Sequence, residues 1–378
     1  MRFLFACDSF KGTISSARSA QLLGEQALVQ FPGAELSGVE VADGGEGTVD
    51  AVVAATGGTL RTVRVHGPRG AEVDAAYGLL GDGRAIIEMA AASGLPLLAS
   101  TDRDPRFTST YGTGELIADA LAQGARDISL AIGGSATNDG GMGCMRALGV
   151  RFLDADGSEL AGNGIDLEKV ASIDLSGMNQ AVAQATFHVM CDVDNPLLGE
   201  RGATYVFGPQ KGATPEVADA LELGMSSYAA VLQKTFPGFD PAEAGMGAAG
   251  GLGAAAKLFL RAEVLPGVEQ VLNLVGFDAL LQGCDLCVTG EGHADSQSAH
   301  GKVVSGVASW CKRAGVPCVA IVGGMSADAR ELLDFGVDAL VPTVIDAASI
   351  DEVLAHAEEN FSLAAERVFA LVKIGQRL

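Results

Sequence analysis

Both ends of the chain alternate short apolar segments with amphipathic ones, and this alternation constrains the fold more than any other feature. Near the N-terminus we predict strands at 2–7 and 35–41 and helices at 15–31 and 48–55. The alternation returns late in the chain, where we predict strands at 284–289, 317–322 and 338–341 and helices at 301–314, 327–335 and from about 350. Strands that alternate with helices normally form a parallel sheet, so both ends should contribute to one α/β domain.

The central part of the chain has a different pattern. Strand-like runs at 59–66, 73–80 and 84–90 follow each other closely, and Gly81-Asp82-Gly83 predicts a hairpin between the last two. Beyond them we predict strands at 127–132, 150–154 and 186–191 and helices at 114–123 and 215–235. The fold prediction is therefore α/β with two domains: a doubly wound, Rossmann/flavodoxin-like domain of residues 1–60 plus 275–378, and an inserted α/β domain of residues 61–274. We expect the active site in the cleft between them.

The composition limits the classes of partner. The chain has 25 Lys and Arg against 47 Asp and Glu, a formal charge of −22, which argues against nucleic acid and anionic lipid as partners. No apolar stretch is long enough to span a membrane.

Seven cysteines without a secretory segment indicate reduced thiols and a cytoplasmic protein. Cys284-x-x-Cys287 lies in an apolar strand-like run, which favours buried structural thiols over a redox or zinc pair. We expect a monomer or a homodimer.

Small residues, carboxylates and hydroxyls follow the predicted strands. In open α/β sheets ligands bind beyond the carboxyl ends of the strands, so these segments should line an active cleft. Ordinary turns and caps use the same residue types, and only the coincidence of several such segments favours a site. The segments are Asp8–Gly12, Asp43–Thr48, Gly133–Gly141, Asp192–Pro196 and Gly290–Gly292.

The segment Gly133–Gly141 is the best candidate for a phosphate-binding loop. Its glycines allow backbone N–H groups to approach oxygen atoms, and Ser135 and Thr137 add hydroxyl donors. A plain tight loop is the alternative. The segment does not have the P-loop pattern, and neither does Gly301-Lys302, where Val303 stands in place of Ser or Thr. A P-loop NTPase is excluded.

Gly245-x-Gly247-x-x-Gly250 matches the dinucleotide-binding fingerprint. No strand-like run precedes it, and a match in that context is weak, so we interpret it as a glycine-rich start of a helix.

Charged residues cluster in two of the loops. Glu291 and Asp295 are spaced to share Mg²⁺ or to divide into metal ligand and base, and Lys302 could neutralise a phosphate or a carboxylate. Lys11 beside Asp8 suits charge neutralisation in the same way. Helix capping and surface ion pairs are the alternatives.

These segments resemble, in order and over nearly the whole chain, conserved blocks of the type I glycerate kinase family. The blocks are Asp8-Ser9-Phe10-Lys11-Gly12, Ala42–Thr48, Ile132–Gly141, Cys191–Leu197, Phe207-Gly208-Pro209-Gln210-Lys211-Gly212-Ala213, Gly247–Gly253 and Thr289–Lys302. One departure is Cys7, where the family usually has Pro before the Asp. The resemblance implies phosphorylation of D-glycerate by ATP with Mg²⁺, usually to 2-phosphoglycerate.

Within this resemblance we assign roles as hypotheses. Gly133, Gly134, Ser135, Thr137 and Asn138 would hold the ATP phosphates. Glu291 and Asp43 are the candidate metal ligands. Asp192 would orient or deprotonate the glycerate hydroxyl, with Asp295 as the second candidate and Lys11 as a catalytic cation. The remaining set would hold the glycerate carboxylate and the transferring phosphate: Asp8, Ser9, Ser296, Gln297 and Lys302.

Other functions remain open at this point. A kinase acting on another small hydroxy acid, or on the 3-hydroxyl of glycerate, is the closest alternative. A nicotinamide-dependent oxidoreductase would rest on Gly245–Gly250, and a non-catalytic metabolite-binding regulator would use the same cleft.

Overall fold

The structure is a computed structural model that describes residues 1–10, 12–45, 47–299, 301–346 and 349–377. The chain divides into two compact units. Unit 1 comprises Met1–Asp43 and Val268–Leu378, and unit 2 comprises Gly44–Gly267. Both contain a sheet with helices, so the protein is mixed α/β as predicted.

The strands that the structure describes are, in chain order, β1 (Arg2–Cys7), β2 (Glu35–Gly38), β3 (Thr59–His66), β4 (Glu72–Leu79), β5 (Arg84–Glu88), β6 (Asp127–Ala131), β7 (Arg151–Leu153), β8 (Ser172–Asp174), β9 (Thr186–Met190), β10 (Glu263–Leu265), β11 (Leu286–Ala294), β12 (Cys318–Met325) and β13 (Ala339–Pro342). The α-helices over the same residues are α1 (Ser16–Gln30), α2 (Thr48–Thr56), α3 (Ala90–Ser93), α4 (Tyr111–Ala122), α5 (Met142–Ala147), α6 (Ala203–Phe207), α7 (Pro215–Thr235), α8 (Ala248–Phe259), α9 (Gly267–Leu274), α10 (Phe277–Leu281), α11 (Val303–Ala314), α12 (Ile350–Ala355) and α13 (Ala357–Gly375).

Unit 1 is built on a parallel sheet with the strand order β13-β12-β11-β1-β2. The run of apolar residues in β1 is buried, as expected for a strand covered on both faces. Phe3 packs on Phe369 of α13 with ring centroids 5.2 Å apart. Leu23 of α1 is fully buried in the same core. Residues from the two ends of the chain therefore form one core.

Unit 2 is built on a mixed sheet with the order β10-β9-β6-β5-β4-β3. The strands β3, β4 and β5 pair antiparallel, and β5, β6, β9 and β10 pair parallel. The hairpin between β4 and β5 is confirmed, and its turn places Asp82 in the left-handed region with φ +64°. Outside this sheet β7 and β8 form a separate antiparallel pair.

The segment 44–60, which the sequence prediction placed in the first domain, packs in unit 2. The backbone N–H of Val49 in α2 donates to Glu88 Oε1 at 2.8 Å, and Val52 is fully buried. A Cβ atom on Gly78 of β4 would lie 2.6 Å from Val53 Cγ2, so the helix lies directly on the sheet. The apolar face of α2 belongs to the core of unit 2 because β4 and β5 cover it.

Other differences concern the ends of elements. The strand predicted at 284–289 runs on to Ala294 in β11, and the helix predicted at 327–335 is a 3₁₀ helix over Ala327–Leu333. The terminal helix is divided at His356 into α12 and α13. Three-residue strands such as β10 are too short to show a period in sequence.

The cysteines are free thiols throughout the described residues. Cys287 is buried as predicted, and its sulfur lies within 4.8 Å of those of Cys311 and Cys318. Cys284 Sγ instead donates to the Leu286 carbonyl at 3.2 Å. Among the described helices none combines the length and apolar character that a membrane crossing requires.

Candidate active site

A cavity of about 620 Å³ lies at the carboxyl ends of β1 and β11 in unit 1. Cys7 and Gly290 are register partners, so the residues that follow them emerge at the same edge of the sheet. The cavity brings together a set of polar residues that the sequence analysis singled out: Asp8, Ser9, Asp43, Glu291 and Lys302.

Glu291 is the most buried carboxylate of this set. The residue is 7% exposed, and its Oε1 atom has no hydrogen-bond partner among the described residues. Burial raises the pKa of Glu291 above its ordinary value, against the opposing effects of Ser298 and of the Lys302 charge. A buried carboxylate oxygen with an unused acceptor site is suited to a cation ligand.

Lys302 lies between two carboxylates. Its Nζ atom is 3.9 Å from Glu291 Oε2 and 3.7 Å from Asp295 Oδ1. These distances are long for ion pairs, and the side chain is 35% exposed, so the ammonium keeps capacity for a further anion. The structure thus places Lys302 close to both Glu291 and Asp295.

Ser296 and Gln297 begin a 3₁₀ helix at Ser296–Ala299. Hydrogen bonding from Ser326 and then from Ser296 lowers the pKa of Asp328, so Ser296 has a partner away from Lys302. The Gln297 side chain is exposed. Neither residue lines the cavity.

The first loop begins with Asp8, whose Oδ1 atom accepts the backbone N–H of Ser9 at 2.6 Å. This short hydrogen bond fixes the carboxylate at the end of β1. Lys11 lies outside the described residues.

In unit 2 the loop after β6 exposes its first two residues and buries the next ones. Gly133 and Gly134 are exposed, whereas Ser135 is 7% exposed and Thr137 and Asn138 are fully buried. Within the described residues, Thr137 Oγ1 and Asn138 Oδ1 have no hydrogen-bond partner. The exposed backbone of Gly133 and Gly134 is the part of the loop that an anion can reach from solvent.

A buried lysine donates a hydrogen bond to this loop from the interior of unit 2. Lys211 is 1% exposed, and its Nζ atom donates to the carbonyl of Thr137 at 2.7 Å. Burial lowers the pKa of Lys211 to about 7, with Asp139 opposing the shift. The sequence places Lys211 in the Phe207–Ala213 block, but spacing alone does not show that its side chain reaches the loop.

Asp139 ties the C-terminal part of the loop to the rest of unit 2. Its carboxylate accepts the backbone N–H and the hydroxyl of Thr110 at 2.7 and 2.8 Å, and the backbone N–H groups of Gly141 and Gly143 at 3.0 and 3.2 Å. Burial raises its pKa, and these four donors oppose that shift. The residue holds the loop in place, a role that the sequence analysis did not assign.

Asp192 follows β9 and is exposed. Its Oδ1 atom accepts the backbone N–H of Gly267 at 2.9 Å. A Cβ atom on Gly44 would lie 3.1 Å from the Cα of Gly267, and one on Gly133 would lie 3.7 Å from the carbonyl oxygen of Gly44. Asp192 and the exposed glycines of the loop therefore lie at the same end of unit 2.

Two of the three glycines of the dinucleotide fingerprint lie tightly against the backbone of other segments. A Cβ atom on Gly247 would lie 2.2 Å from the Pro196 carbonyl, and one on Gly250 would lie 2.1 Å from the Thr137 carbonyl. The segment forms the start of α8, as predicted. These glycines allow close packing and leave no space there for a pyrophosphate.

Comparison with known proteins shows which family the chain resembles. The sequence profile of the glycerate kinase family matches residues 3–373. The chain is 44% identical over 379 residues to a glycerate kinase from Bacillus subtilis (strain 168), a match that covers 100% of this chain and 99% of the relative. It is 42% identical over 378 residues to glycerate 2-kinase from Escherichia coli (strain K12), with 100% and 99% coverage.

The fold has a close relative among solved structures. A crystal structure from Salmonella typhimurium LT2, of a protein provisionally named glycerate kinase 2, superposes with a TM-score of 0.90 at 43% identity. The match covers 100% of both chains. The chain therefore belongs to the glycerate kinase family.

Proposed function

We propose that this protein transfers the terminal phosphoryl group of ATP to the 2-hydroxyl of D-glycerate. The observation that carries the proposal is the cavity of unit 1, where Glu291 and Lys302 lie with Asp8 and Asp43 at the ends of β1 and β11. Phosphoryl transfer requires positioning and charge neutralisation more than covalent chemistry, and this set offers both signs of charge. The parallel order of the strands supports a doubly wound, flavodoxin-like unit 1 in which ligands bind at this edge.

Glu291 and Asp43 would hold Mg²⁺. The donor set fits, since the ion prefers oxygen ligands and Glu291 Oε1 is buried with no other partner among the described residues. When bound, Mg²⁺ would neutralise charge on the phosphate oxygens and orient them for in-line transfer.

Lys302 would contact the transferring phosphate or the glycerate carboxylate. Its Nζ atom lies 3.7 and 3.9 Å from two carboxylates, and the side chain lines the cavity. Asp8, Ser9 and Lys11 would complete the anion contacts from the first loop.

Asp192 would accept the proton of the glycerate hydroxyl or orient that hydroxyl. The carboxylate is exposed, and its hydrogen bond to Gly267 fixes it after β9, which suits a base that needs defined geometry. Asp295 is the second candidate.

In unit 2 the backbone N–H groups of Gly133 and Gly134 would contact the phosphates of ATP. Ser135, Thr137 and Asn138 are buried. They would contact a phosphate only if the loop opened, and otherwise they would contribute by fixing the conformation of the loop. We infer a cytoplasmic location, supported by the free thiols, and a monomeric or homodimeric protein.

The test is ATP- and Mg²⁺-dependent turnover of D-glycerate, read by adding enolase and pyruvate kinase without phosphoglycerate mutase. A signal is expected, since only 2-phosphoglycerate feeds this coupling. Asp192→Asn is expected to lower kcat at least about a hundredfold while both substrates still bind. The neighbouring exposed carboxylate Asp194 provides the control, since Asp194→Asn is expected to leave kcat unchanged.

The other outcomes point to other functions. ADP release that depends on glycerate but gives no enolase signal would indicate phosphorylation at the 3-hydroxyl. If ADP were released with another small hydroxy acid but not with glycerate, that acid would be the phosphoryl acceptor instead of glycerate. Near-normal kcat in Asp192→Asn would remove the proposed role of that residue.

A further inference from the structure

The cavity of unit 1 has an apolar side that the chemistry described so far does not use. Besides Glu291 and Lys302, its lining includes a wall of aliphatic and aromatic side chains from the first loop, α12 and α13. They are Phe10, Ile14, Ile350, Val353, Leu354 and Phe361. D-Glycerate has more oxygen than carbon atoms and would gain nothing from such a wall, because burial is favourable in proportion to apolar area.

Part of this wall is a fixed floor. Phe10 and Phe361 are buried and contact each other edge to face, with ring centroids 5.2 Å apart. Ile14 is 3% exposed beside them. These three side chains therefore form a packed base of the cavity that exposes little surface of its own.

The rim of the wall is apolar as well, although it faces solvent. Ile350 is 69% exposed and Leu354 is 48% exposed. They are spaced four residues apart on α12 and so project on the same side of the helix. Contiguous exposed apolar side chains at the edge of a cavity are typical of a ligand-binding site.

We propose that this apolar side binds the adenine ring of ATP, an assignment that rests on the proposed function. Three observations carry it. The cavity volume of about 620 Å³ is far larger than glycerate requires and lies in the usual range for drug-sized ligands of about 300–1,000 Å³. Its lining combines apolar side chains with charged ones, among them Glu291 and Lys302, and a nucleotide likewise combines an apolar base with charged phosphates. The cavity also lies where β1 meets β11, at which the strand order reverses direction, the usual ligand position in such sheets.

The test separates the base from the phosphates by means of two competitive inhibitors, adenosine and inorganic tripolyphosphate. In Leu354→Glu, a charge replaces a half-exposed apolar contact, and we expect the Ki of adenosine and the KM of ATP to rise at least about tenfold. The Ki of tripolyphosphate and the KM of glycerate should stay within about twofold. Leu371→Glu is the matched control, because Leu371 is an exposed leucine of α13 outside the cavity lining, and it should change none of these values.

A second variant tests the same contact in the opposite direction. Ile350→Trp, at a largely exposed position, adds a flat aromatic surface and should lower the Ki of adenosine. An unchanged Ki of adenosine in both variants would overturn the proposal. A rise in the KM of glycerate alone would assign the wall to the acceptor and would overturn it as well.

Failure of the proposed function is distinguishable from failure of this inference. If the wild-type enzyme does not turn over glycerate, the adenine site can still be tested by measuring the direct binding of a fluorescent N-methylanthraniloyl ATP. Weaker binding by Leu354→Glu than by Leu371→Glu would support an adenine site in an enzyme with another acceptor. Equal binding would count against it.

Discussion

The ammonium of Lys211 is the most unusual single group in unit 2. It is buried, its acceptor is the neutral carbonyl of Thr137, and burial lowers its pKa to about 7. Burying an ammonium costs several kcal/mol, whereas a hydrogen bond to a charged group returns about 1.5–3 kcal/mol. The protein therefore keeps Lys211 at some cost in stability, as a functional role beneath the loop that we propose to bind phosphate would require.

Replacement of this lysine should separate stability from activity. We expect Lys211→Met to change the free energy of unfolding by no more than about 1 kcal/mol, because the relieved desolvation offsets the lost hydrogen bond. The kcat/KM for ATP should fall at least about tenfold, since the Thr137 carbonyl loses its donor and the loop loses a positive charge. Urea unfolding and the coupled assay measure the two effects.

Lys169 provides the matched control for this lysine. It is 54% exposed and paired with Asp166 at 3.0 Å, so Lys169→Met should change neither quantity appreciably. Equal loss of activity in both variants would contradict a specific role for Lys211.

The buried carboxylate of Glu291 should make stability depend on pH. Its pKa is raised by burial above the ordinary 4.5, so the folded protein holds the proton over a range in which the unfolded chain has released it. Stability from this group is thus present below the ordinary value and is lost as pH rises through the raised one. In Glu291→Gln this loss is absent, so in EDTA the variant should gain stability relative to wild type as pH rises above the ordinary value of 4.5.

The same variant should be a much weaker kinase. Without the carboxylate the proposed Mg²⁺ site loses a ligand, and we expect kcat/KM for Mg²⁺–ATP to fall about a hundredfold or more. Urea unfolding at several pH values measures the change in stability, and the coupled assay measures the loss of activity. A parallel pH dependence of stability in wild type and variant would show that Glu291 titrates normally.

At the scale of elements, the backbone at the start of α8 packs directly against the loop Gly133–Gly141. Ala249, Gly250 and Gly251 have φ values of +52°, +67° and +93°, in the left-handed region. A Cβ atom on Gly250 would lie 2.1 Å from the Thr137 carbonyl oxygen and 2.7 Å from Asn138 Cα. Since both contacts are with backbone, a side chain at 250 can be accommodated only if the loop moves.

Gly250→Ala should therefore reduce both stability and activity. We expect a loss of about 3 kcal/mol in the free energy of unfolding, from backbone strain of about 1–2 kcal/mol plus the clash. Gly276→Ala is a closely matched control, because Gly276 has φ +66° with no atom within 4 Å of the added Cβ. It should lose only about 1 kcal/mol and keep kcat, as measured by thermal unfolding and turnover. Full activity in Gly250→Ala would show that the loop position is not critical.

Elements with a strong period could be predicted from sequence, and those fixed by tertiary contacts could not. Pro215–Thr235 has a capping threonine, a proline in the first turn and an apolar stripe, and it was predicted with the bounds of α7. The left-handed start of α8 depends on contact with Thr137 and Asn138, far away in sequence. Likewise the polar residues of the unit 1 cavity could be predicted because strand ends bring them together, whereas the burial of Thr137 and Asn138 depends on packing.

At the scale of the whole molecule, each unit has its own hydrophobic core. One buried cluster comprises residues between Val65 and Ala262, and another joins residues such as Phe5 and Leu286 with Phe361. Unit 2 is continuous in sequence, and its first and last residues are neighbours, since a Cβ atom on Gly44 would lie 3.1 Å from Gly267 Cα. A segment with its own core and adjacent ends has the properties of an inserted domain.

Unit 2 should therefore fold when expressed alone, provided that the boundaries follow its core. We expect the fragment 44–267 to unfold cooperatively and to show dispersed amide NMR signals. The fragment 61–274, which follows the boundaries predicted from sequence, lacks α2 and so exposes the sheet surface that Val49 and Val52 cover. Because removal of each buried valine contact costs about 1.5–3 kcal/mol, this shorter fragment should be less stable by several kcal/mol or should fail to fold. Equal stability of the two fragments would mean that α2 contributes little to the core and that residues 44–60 belong to unit 2 by proximity alone.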